Sequence, residues 1–568
     1  MLGGTKRTRS SRSMAGAAPS ASPGSFFTAI DPRIALAAYA LLVTCVVAIA
    51  LPALATAEQA SAPTSSTAGD LDAGAYHTCA ILDNGSVRCW GYSGEGQLGY
   101  GNRDTVGDDE TPASVGPVYL GPGRTATAVS VGDYHTCAIL DDRSVRCWGY
   151  GRAGRLGYGN TSNVGDKQTP ASAGPVDLGS GRTAKAISAG GAHTCAILDN
   201  GSVLCWGFGG QGQLGYGNTS NVGDQQTPGS VGPVDLGPGR TAKAISAGAA
   251  HTCAILDNDS VLCWGFGGFG QLGYGSRDNV GDKRTPASVG PVDLGPGRTA
   301  VAISAGGAHT CAVLDDGSVR CWGYGGLGQL GYGNTNNVGA VDTPATAGPV
   351  NIGAGRTASA IAAGQIHTCA LLDNRTVRCW GFGNNGRLGY GNTTSIGDLQ
   401  TPDTAGPVDL GRGRTAVAIS AGQSHTCARL DNRRVTCWGD GANGRLGYCS
   451  ETDVGAKQAP GSVGTVNLEP GDGGVGCKPA TGSVDPLVLQ ARRESALRSC
   501  LAQAARRPQR ARGLARRDCL RRYARTPGRI VALHARAVSR NRVVLLFDAA
   551  GTDGNRPPAA RSYLVKQS

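Results

Sequence analysis

The chain has 568 residues and a formal net charge of +12, with 91 glycines, 28 prolines, 19 cysteines and only 5% aromatic residues. That length exceeds one ordinary domain, and so much glycine with so few bulky side chains excludes a large aromatic core and points to tight turns. The charge is uneven, at +4 over residues 1–57, +15 over 478–568 and −7 between them. The long middle stretch is therefore a poor nucleic-acid binder, because phosphate contacts need a basic stripe.

At the N-terminus, Lys6, Arg7, Arg9, Arg12 and Arg33 precede an apolar run, Ile34–Leu51, followed by Ala53-Leu54-Ala55 and Ala55-Thr56-Ala57. A basic start, an apolar segment and an Ala-x-Ala exit read as a secretory signal. The run is long enough for an uncleaved anchor as the alternative, which is the only membrane contact expected. Residues 1–57 are thus a signal peptide or N-terminal anchor and 58–66 a linker. The chain beyond them is expected outside the cell or on its surface, a setting that nineteen cysteines also fit.

From 67 to 476 the chain repeats. Histidines stand at 77, 135, 193, 251, 309, 367 and 425, each 58 residues after the last, and all seven tryptophans share their frame. Such a period marks units that bury apolar faces on one another. In the second unit, Ala128–Val131, His135–Leu140, Val145–Trp148 and Pro175–Leu178 read as four short strands bounded by Gly, Asp, Asn and Pro. Seven such units predict an all-β, seven-bladed β-propeller. Whether the ring closes by overlap of its ends or within one repeat stays open.

The string His77-Thr78-Cys79-Ala80-Ile81-Leu82, a turn, then Val87-Arg88-Cys89-Trp90-Gly91 and Gly96–Gly101 (Gly-Gln-Leu-Gly-Tyr-Gly) resembles the repeat of the regulator of chromosome condensation family. The resemblance covers all seven units and implies the same propeller. It also implies a protein partner, as for the secreted bacterial beta-lactamase inhibitory propeller, which binds its enzyme across one face. Guanine-nucleotide exchange on a small GTPase, with a cytoplasmic location, is the family-level alternative. An extracellular polysaccharide-acting enzyme is a second, although no uniquely placed carboxylate pair supports it.

Cys79 and Cys89 bracket a turn that places them opposite each other on adjacent strands, close enough to bridge. The same holds for Cys137-Cys147, Cys195-Cys205, Cys253-Cys263, Cys311-Cys321, Cys369-Cys379 and Cys427-Cys437. Where Arg143, Asp259, Arg375 and Arg433 replace the turn glycine, the preceding residue, often Asn, is expected to supply the left-handed conformation. The competing reading, a metal site from His77, Cys79 and Cys89, is weakened by its sevenfold recurrence in an exported chain. The histidines are expected to be structural and hydrogen-bonded. Six G-x-G-x-x-G matches, beginning with Gly149–Gly154, lack the following helix that a dinucleotide site requires. No cofactor, metal or catalytic residue is expected.

A residue present seven times is first a scaffold residue, so function is sought where repeats differ. The tips after the first strand and the slot after Trp-Gly vary most, and in a four-stranded blade both emerge on one face. That face offers Tyr76, Glu95, Tyr134, Gln211, Phe269, Leu327, Ile366, Asn385 and Asn443 as the candidate protein-binding surface.

Beyond the array, Cys449 replaces a motif glycine and pairs in expectation with Cys477. Residues 477–484 read as a linker, and 485–525 as a short helical hairpin stapled by Cys500-Cys519. Alternation at Val531, Leu533, Ala535, Val543, Leu545 and Phe547, with Tyr563–Val565, makes 529–568 a truncated, partial fibronectin type III-like β segment. The expected whole is a monomeric, exported, non-enzymatic scaffold whose partner is an unknown protein or cell-wall component, with no specific nucleic acid.

Overall fold

A computed structural model describes residues 69–477 and the backbone of three strands further on. The 69–477 region is seven three-stranded antiparallel sheets, each built from one contiguous stretch of chain. Blade 1 comprises β1 (Leu71–Ala73), β2 (His77–Ile81) and β3 (Val87–Gly91); blade 2 comprises β4 (Ala126–Val131), β5 (His135–Leu140) and β6 (Val145–Gly149). Blades 3 to 7 repeat this pattern, ending at Val435–Gly439. Later strands, Ile530–Ser539, Arg542–Ala549 and Arg561–Lys566, form a separate three-stranded antiparallel sheet over the truncated β segment. The helical hairpin and the Cys500-Cys519 staple lie outside the described residues.

Each blade has three strands rather than the expected four. Pro175–Leu178 runs extended beside β6, but Pro175 has no N–H to give and only Val176 N donates, to Val145 O at 2.8 Å. The outer edge of β6 is closed instead by a phenol. Tyr158 Oη accepts from Cys147 N at 3.1 Å and donates to Cys147 O at 3.0 Å. Tyr100, Tyr216, Tyr274, Tyr332, Tyr390 and Tyr448 do the same in their own blades. The Gly-Tyr-Gly motif is therefore an edge cap, and burial pushes the Tyr158 hydroxyl up to about 12.

The register pairs Cys137 with Cys147 and Thr136 with Trp148. Disulfides join all seven cross-strand pairs, with Cα atoms 4.0–4.1 Å apart, and Cys449 is bonded to Cys477. The tryptophans are fully buried. Each lies against a glycine of the preceding blade, Trp148 on Gly99 and Trp90 on Gly447, positions where a Cβ would collide with the indole.

The turn between the second and third strands departs from expectation. Arg143, Asp259, Arg375 and Arg433 themselves adopt φ of 62°, 64°, 62° and 66°. The preceding Asp142 or Asn258 uses its side-chain oxygen to accept the N–H two residues on. A left-handed non-glycine residue costs roughly 1–2 kcal/mol, partly offset by the entropy that glycine loses on folding. Arg375→Gly is expected to stabilise the protein by up to about 1 kcal/mol, read as a raised Tm; an unchanged or lowered Tm would show the strain is absent.

Blades are joined by a ring of buried side chains. Each histidine Nε2 meets the threonine hydroxyl of the next blade, from His77 to Thr136 at 2.7 Å through His367 to Thr426 at 2.9 Å. His425 to Thr78, at 2.8 Å, closes the circle. Each threonine in turn donates to a carbonyl, as Thr136 does to Gln97 O at 2.9 Å. The ring thus closes by packing blade 7 on blade 1, with no strand exchanged.

The closing seam carries its own substitutions. Where other blades have an apolar residue at the equivalent of Ile81, blade 7 has Arg429, which pairs with Asp70 and donates to Ile81 O. Where five blades have serine, blade 1 has Asp72. Its carboxylate accepts from Val131 N at 2.7 Å, Ser420 Oγ at 2.7 Å and Ser130 Oγ at 3.3 Å, so one side chain ties blade 1 to both neighbours.

Candidate functional site

The two variable loops of every blade share one face. The residue after Trp-Gly donates its N–H to the tip between the first two strands: Tyr150 to Tyr134, Phe208 to Ala192, Phe266 to Ala250 and Tyr324 to Ala308, at 2.9–3.0 Å. Beneath this face lies a circle of glycines at 74, 132, 190, 248, 306, 364 and 422. A Cβ on any of them would strike the carbonyl of the next glycine round, and on six of them also the imidazole of the histidine three residues later. This explains the Gly-x-x-His spacing physically.

The candidate residues are distributed round the circle and form no single pocket. Tyr76 and Tyr134 meet with ring centroids 4.8 Å apart. Phe269 is 40% exposed and lies 5.9 Å from Phe266 and 5.3 Å from Tyr324. Leu327, Ile366 and Gln211 are half-buried in separate blades. Glu95 accepts from Asn163 Nδ2 at 2.7 Å, and Asn385 Nδ2 donates to Asp453 at 2.8 Å, so both are partly committed to holding loops. Asn443 takes φ of 56° inside a short turn, a conformational role.

Two groups escape a reading of the sequence by columns. The first is an aromatic collar in the slot directly after Trp-Gly: Tyr92, Tyr150, Phe208, Phe266, Tyr324 and Phe382, with Asp440 in the seventh blade. A Cβ at Gly210, Gly268 or Gly326 would run into the ring two residues earlier, so each ring lies back over glycine. The signal is present in the chain, because the slot recurs every 58 residues.

The second group decides loop shape. Where the motif reads Gly-Gln-Leu-Gly, the glutamine Oε1 accepts the N–H two residues earlier: Glu95, Gln211, Phe269 and Leu327 donate to Gln97, Gln213, Gln271 and Gln329 at 2.9 Å. Where arginine replaces glutamine, at Arg155, Arg387 and Arg445, Nε donates to a carbonyl three residues back and NH1 to the tip of the next blade. Their guanidinium groups sit 5.0–5.5 Å from Tyr150, Phe382 and Tyr76. Blades 2, 6 and 7 thus hold a buried guanidinium beneath the face. Burial raises the Asp133 carboxyl there and Arg155 beside it pulls it down.

Among the described residues, this face brings no nucleophile together with a base. The sixteen cysteines of residues 69–477 are all in disulfides, which removes them as thiolate ligands, and burial pushes His77 and His193 down to about 3. Neutral imidazoles whose Nε2–H is committed to threonine are poor general bases.

The family described as RCC1-like domain matches residues 50–404, and that described as regulator of chromosome condensation (RCC1) repeat matches 416–445. The chain is 30% identical over 423 residues to the ultraviolet-B receptor UVR8 of Arabidopsis thaliana, covering 72% of this chain and 88% of the receptor. It is 28% identical over 349 residues to the E3 ubiquitin-protein ligase HERC2 of Homo sapiens, covering 61% of this chain but only 7% of the ligase. Prp20p of Saccharomyces cerevisiae, in a structure reported with its binding to Gsp1p and histones, has a similar fold, with a TM-score of 0.51 at 20% identity over 66% of this chain and 85% of that one.

Proposed function

Because the chain belongs to the RCC1-like propeller family, we propose that it is an exported, non-enzymatic scaffold that binds a protein across the face carrying the variable loops. The observation that carries this reading is the division of labour within each repeat. Histidine, threonine, glycine, tyrosine and cysteine hold the ring seven times over, while the tips above them vary without disturbing it.

Full-length chain used as bait on conditioned medium is expected to capture a partner, and Phe269→Ala with Leu327→Ala to cut capture at least tenfold. Unchanged capture by that double variant removes this choice of face. A nucleotide-exchange assay on a small GTPase is expected to show no acceleration; acceleration would establish the exchange-factor alternative. Light reception finds no support in the tryptophans, which are fully buried, with no aromatic ring stacked on any of them among the described residues.

Export has its own readout. Sixteen of the 19 cysteines are paired between Cys79 and Cys477. Thiol titration of the denatured, unreduced native protein is therefore expected to give three thiols at most. A count near nineteen would place the chain in a reducing compartment and sink the exported reading.

A further inference from the structure

Within the proposed binding face, we infer that recognition is confined to blades 3, 4 and 5, and that the partner is a protein presenting uncharged apolar side chains there. The inference rests on the proposed function for the face and adds which sector is used and by what chemistry.

Three observations converge. The loop tips of these blades, 191–192, 208–213, 249–250, 266–271, 307–308 and 324–329, contain no charged residue. The flanking blades carry Glu95, Asp133 and Arg152 on one side and Asp440 on the other, with the guanidinium groups of Arg155, Arg387 and Arg445 buried beneath their loops. Blades 3 to 5 all have the glutamine form and blades 2, 6 and 7 the arginine form, while blade 1 combines the glutamine form with the charged Glu95.

The neutral sector also has a distinct relief. Its inner tips are only glycine and alanine, whereas blades 1 and 2 place Tyr76 and Tyr134 there. Outside this low floor stand Phe208 at 39% exposure and Phe269 at 40%, with Phe266, Tyr324 and Leu327 between and beside them. A floor of small residues rimmed by aromatic rings accepts side chains entering from above.

The main chain of the floor is already used. Gly191, Ala249 and Gly307 each donate to the glycine carbonyl of the next blade at 3.1 Å, and the carbonyls of Ala192, Ala250 and Ala308 accept from Phe208, Phe266 and Tyr324. These bonds leave a partner strand no continuous ladder at the tips, which favours burial of apolar side chains over strand addition. With no charged side chain among these tips, electrostatic steering is expected to contribute little to association.

The test pans a phage-displayed library of random twelve-residue peptides over the immobilised full-length chain and measures recovered peptides in solution. Recovered sequences are expected to be rich in Phe, Trp and Leu with net charge near zero. Their Kd is expected to change less than twofold between 50 and 500 mM NaCl, and Phe208→Ala with Phe269→Ala to weaken binding at least tenfold while leaving Tm unchanged. Peptides lost on Tyr76→Ala with Tyr134→Ala but indifferent to Phe208 and Phe269 would overturn the sector and leave the face standing. Charged, salt-sensitive peptides, or saturable binding of cellohexaose or chitohexaose in place of peptides, would overturn the partner chemistry. Peptides whose binding survives both double variants would overturn the face as well.

Discussion

Acidification is expected to unfold the array in a narrow transition with its midpoint above pH 4.5, accompanied by uptake of up to seven protons. The cause is the ring of histidines. Thr310 gives its proton to Gln271 O at 2.9 Å, so His251 Nε2 must carry the proton it shares with that hydroxyl and Nδ1 is bare. Nδ1 of all seven finds no hydrogen-bond partner among the described residues, and each lies in a fully buried ring. Burial first, and in several cases neighbouring arginines, push these groups down, to about 3 in His77, His193 and His309 and about 4 in His251.

The sign comes from linkage. A histidine in the unfolded chain protonates near pH 6.5 and the folded one does not, so stability is full above that value and is lost as pH falls toward the folded values. Each histidine contributes about 1.4 kcal/mol per pH unit, and seven together about 10 kcal/mol per unit, comparable to the whole stability of an ordinary domain. Asp72 acts in the opposite direction. Burial raises it to about 6, above its unfolded value, so it destabilises the folded ring above pH 6 and relaxes as pH falls toward 4. One group cannot offset seven. Potentiometric titration through the transition checks the count, and His251→Gln, which can still donate to Thr310, is expected to lower it by one. Asp72→Ser is expected to raise Tm at pH 7.5 and to lose that advantage below pH 4. A transition confined below pH 3.5, despite the large histidine linkage accumulated above it, would show the histidines are not the determinant.

The repeat, the strand positions within it and the cross-strand cysteines are legible in the chain because each depends on local spacing. Cys137 and Cys147 flank a short turn, and in a hairpin that alone puts them opposite. The features that cannot be read depend on neighbours 58 residues away. Nothing next to His135 in the chain shows that its partner is Thr194. Pro175–Leu178 reads as a strand because its composition suits one, and only the position of Tyr158 Oη shows that the edge is already filled. The Arg429 and Asp70 exchange is readable in principle, since each is the odd residue in its column, but their pairing requires knowing that blade 7 meets blade 1. On the face, comparing columns locates the tips, yet it misses the collar, because aromatic residues recur there and recurrence reads as scaffold. Phe208 does both, since its backbone N–H holds the loop while the residue stays 39% exposed.

Full reduction at neutral pH is expected to unfold the array, whereas loss of one clip is expected only to lower its Tm. Each of the seven cross-strand disulfides closes a loop of sequence separation 10, and a loop of about that length is worth on the order of 3 kcal/mol in the chain-entropy model. Removing one pair, as in Cys253→Ser with Cys263→Ser, leaves six clips and the entire histidine ring, and neighbouring blades continue to support the altered one. Removing seven withdraws about 20 kcal/mol, beyond the roughly 5–15 kcal/mol that folded domains retain. The core explains why the clips matter so much: its strands bury mainly alanine, valine and isoleucine around one tryptophan per blade, and several second strands read His-Thr-Cys-Ala-Ile-Leu. Circular dichroism and tryptophan fluorescence during titration with a phosphine reductant would follow the loss. The tryptophans should redden once clips open, because each is held between its own third strand and a glycine of the blade before. A reduced array that kept its native spectrum and melted cooperatively would mean that the ring stands on the histidine–threonine circle alone, and export would then no longer be a condition of its folding.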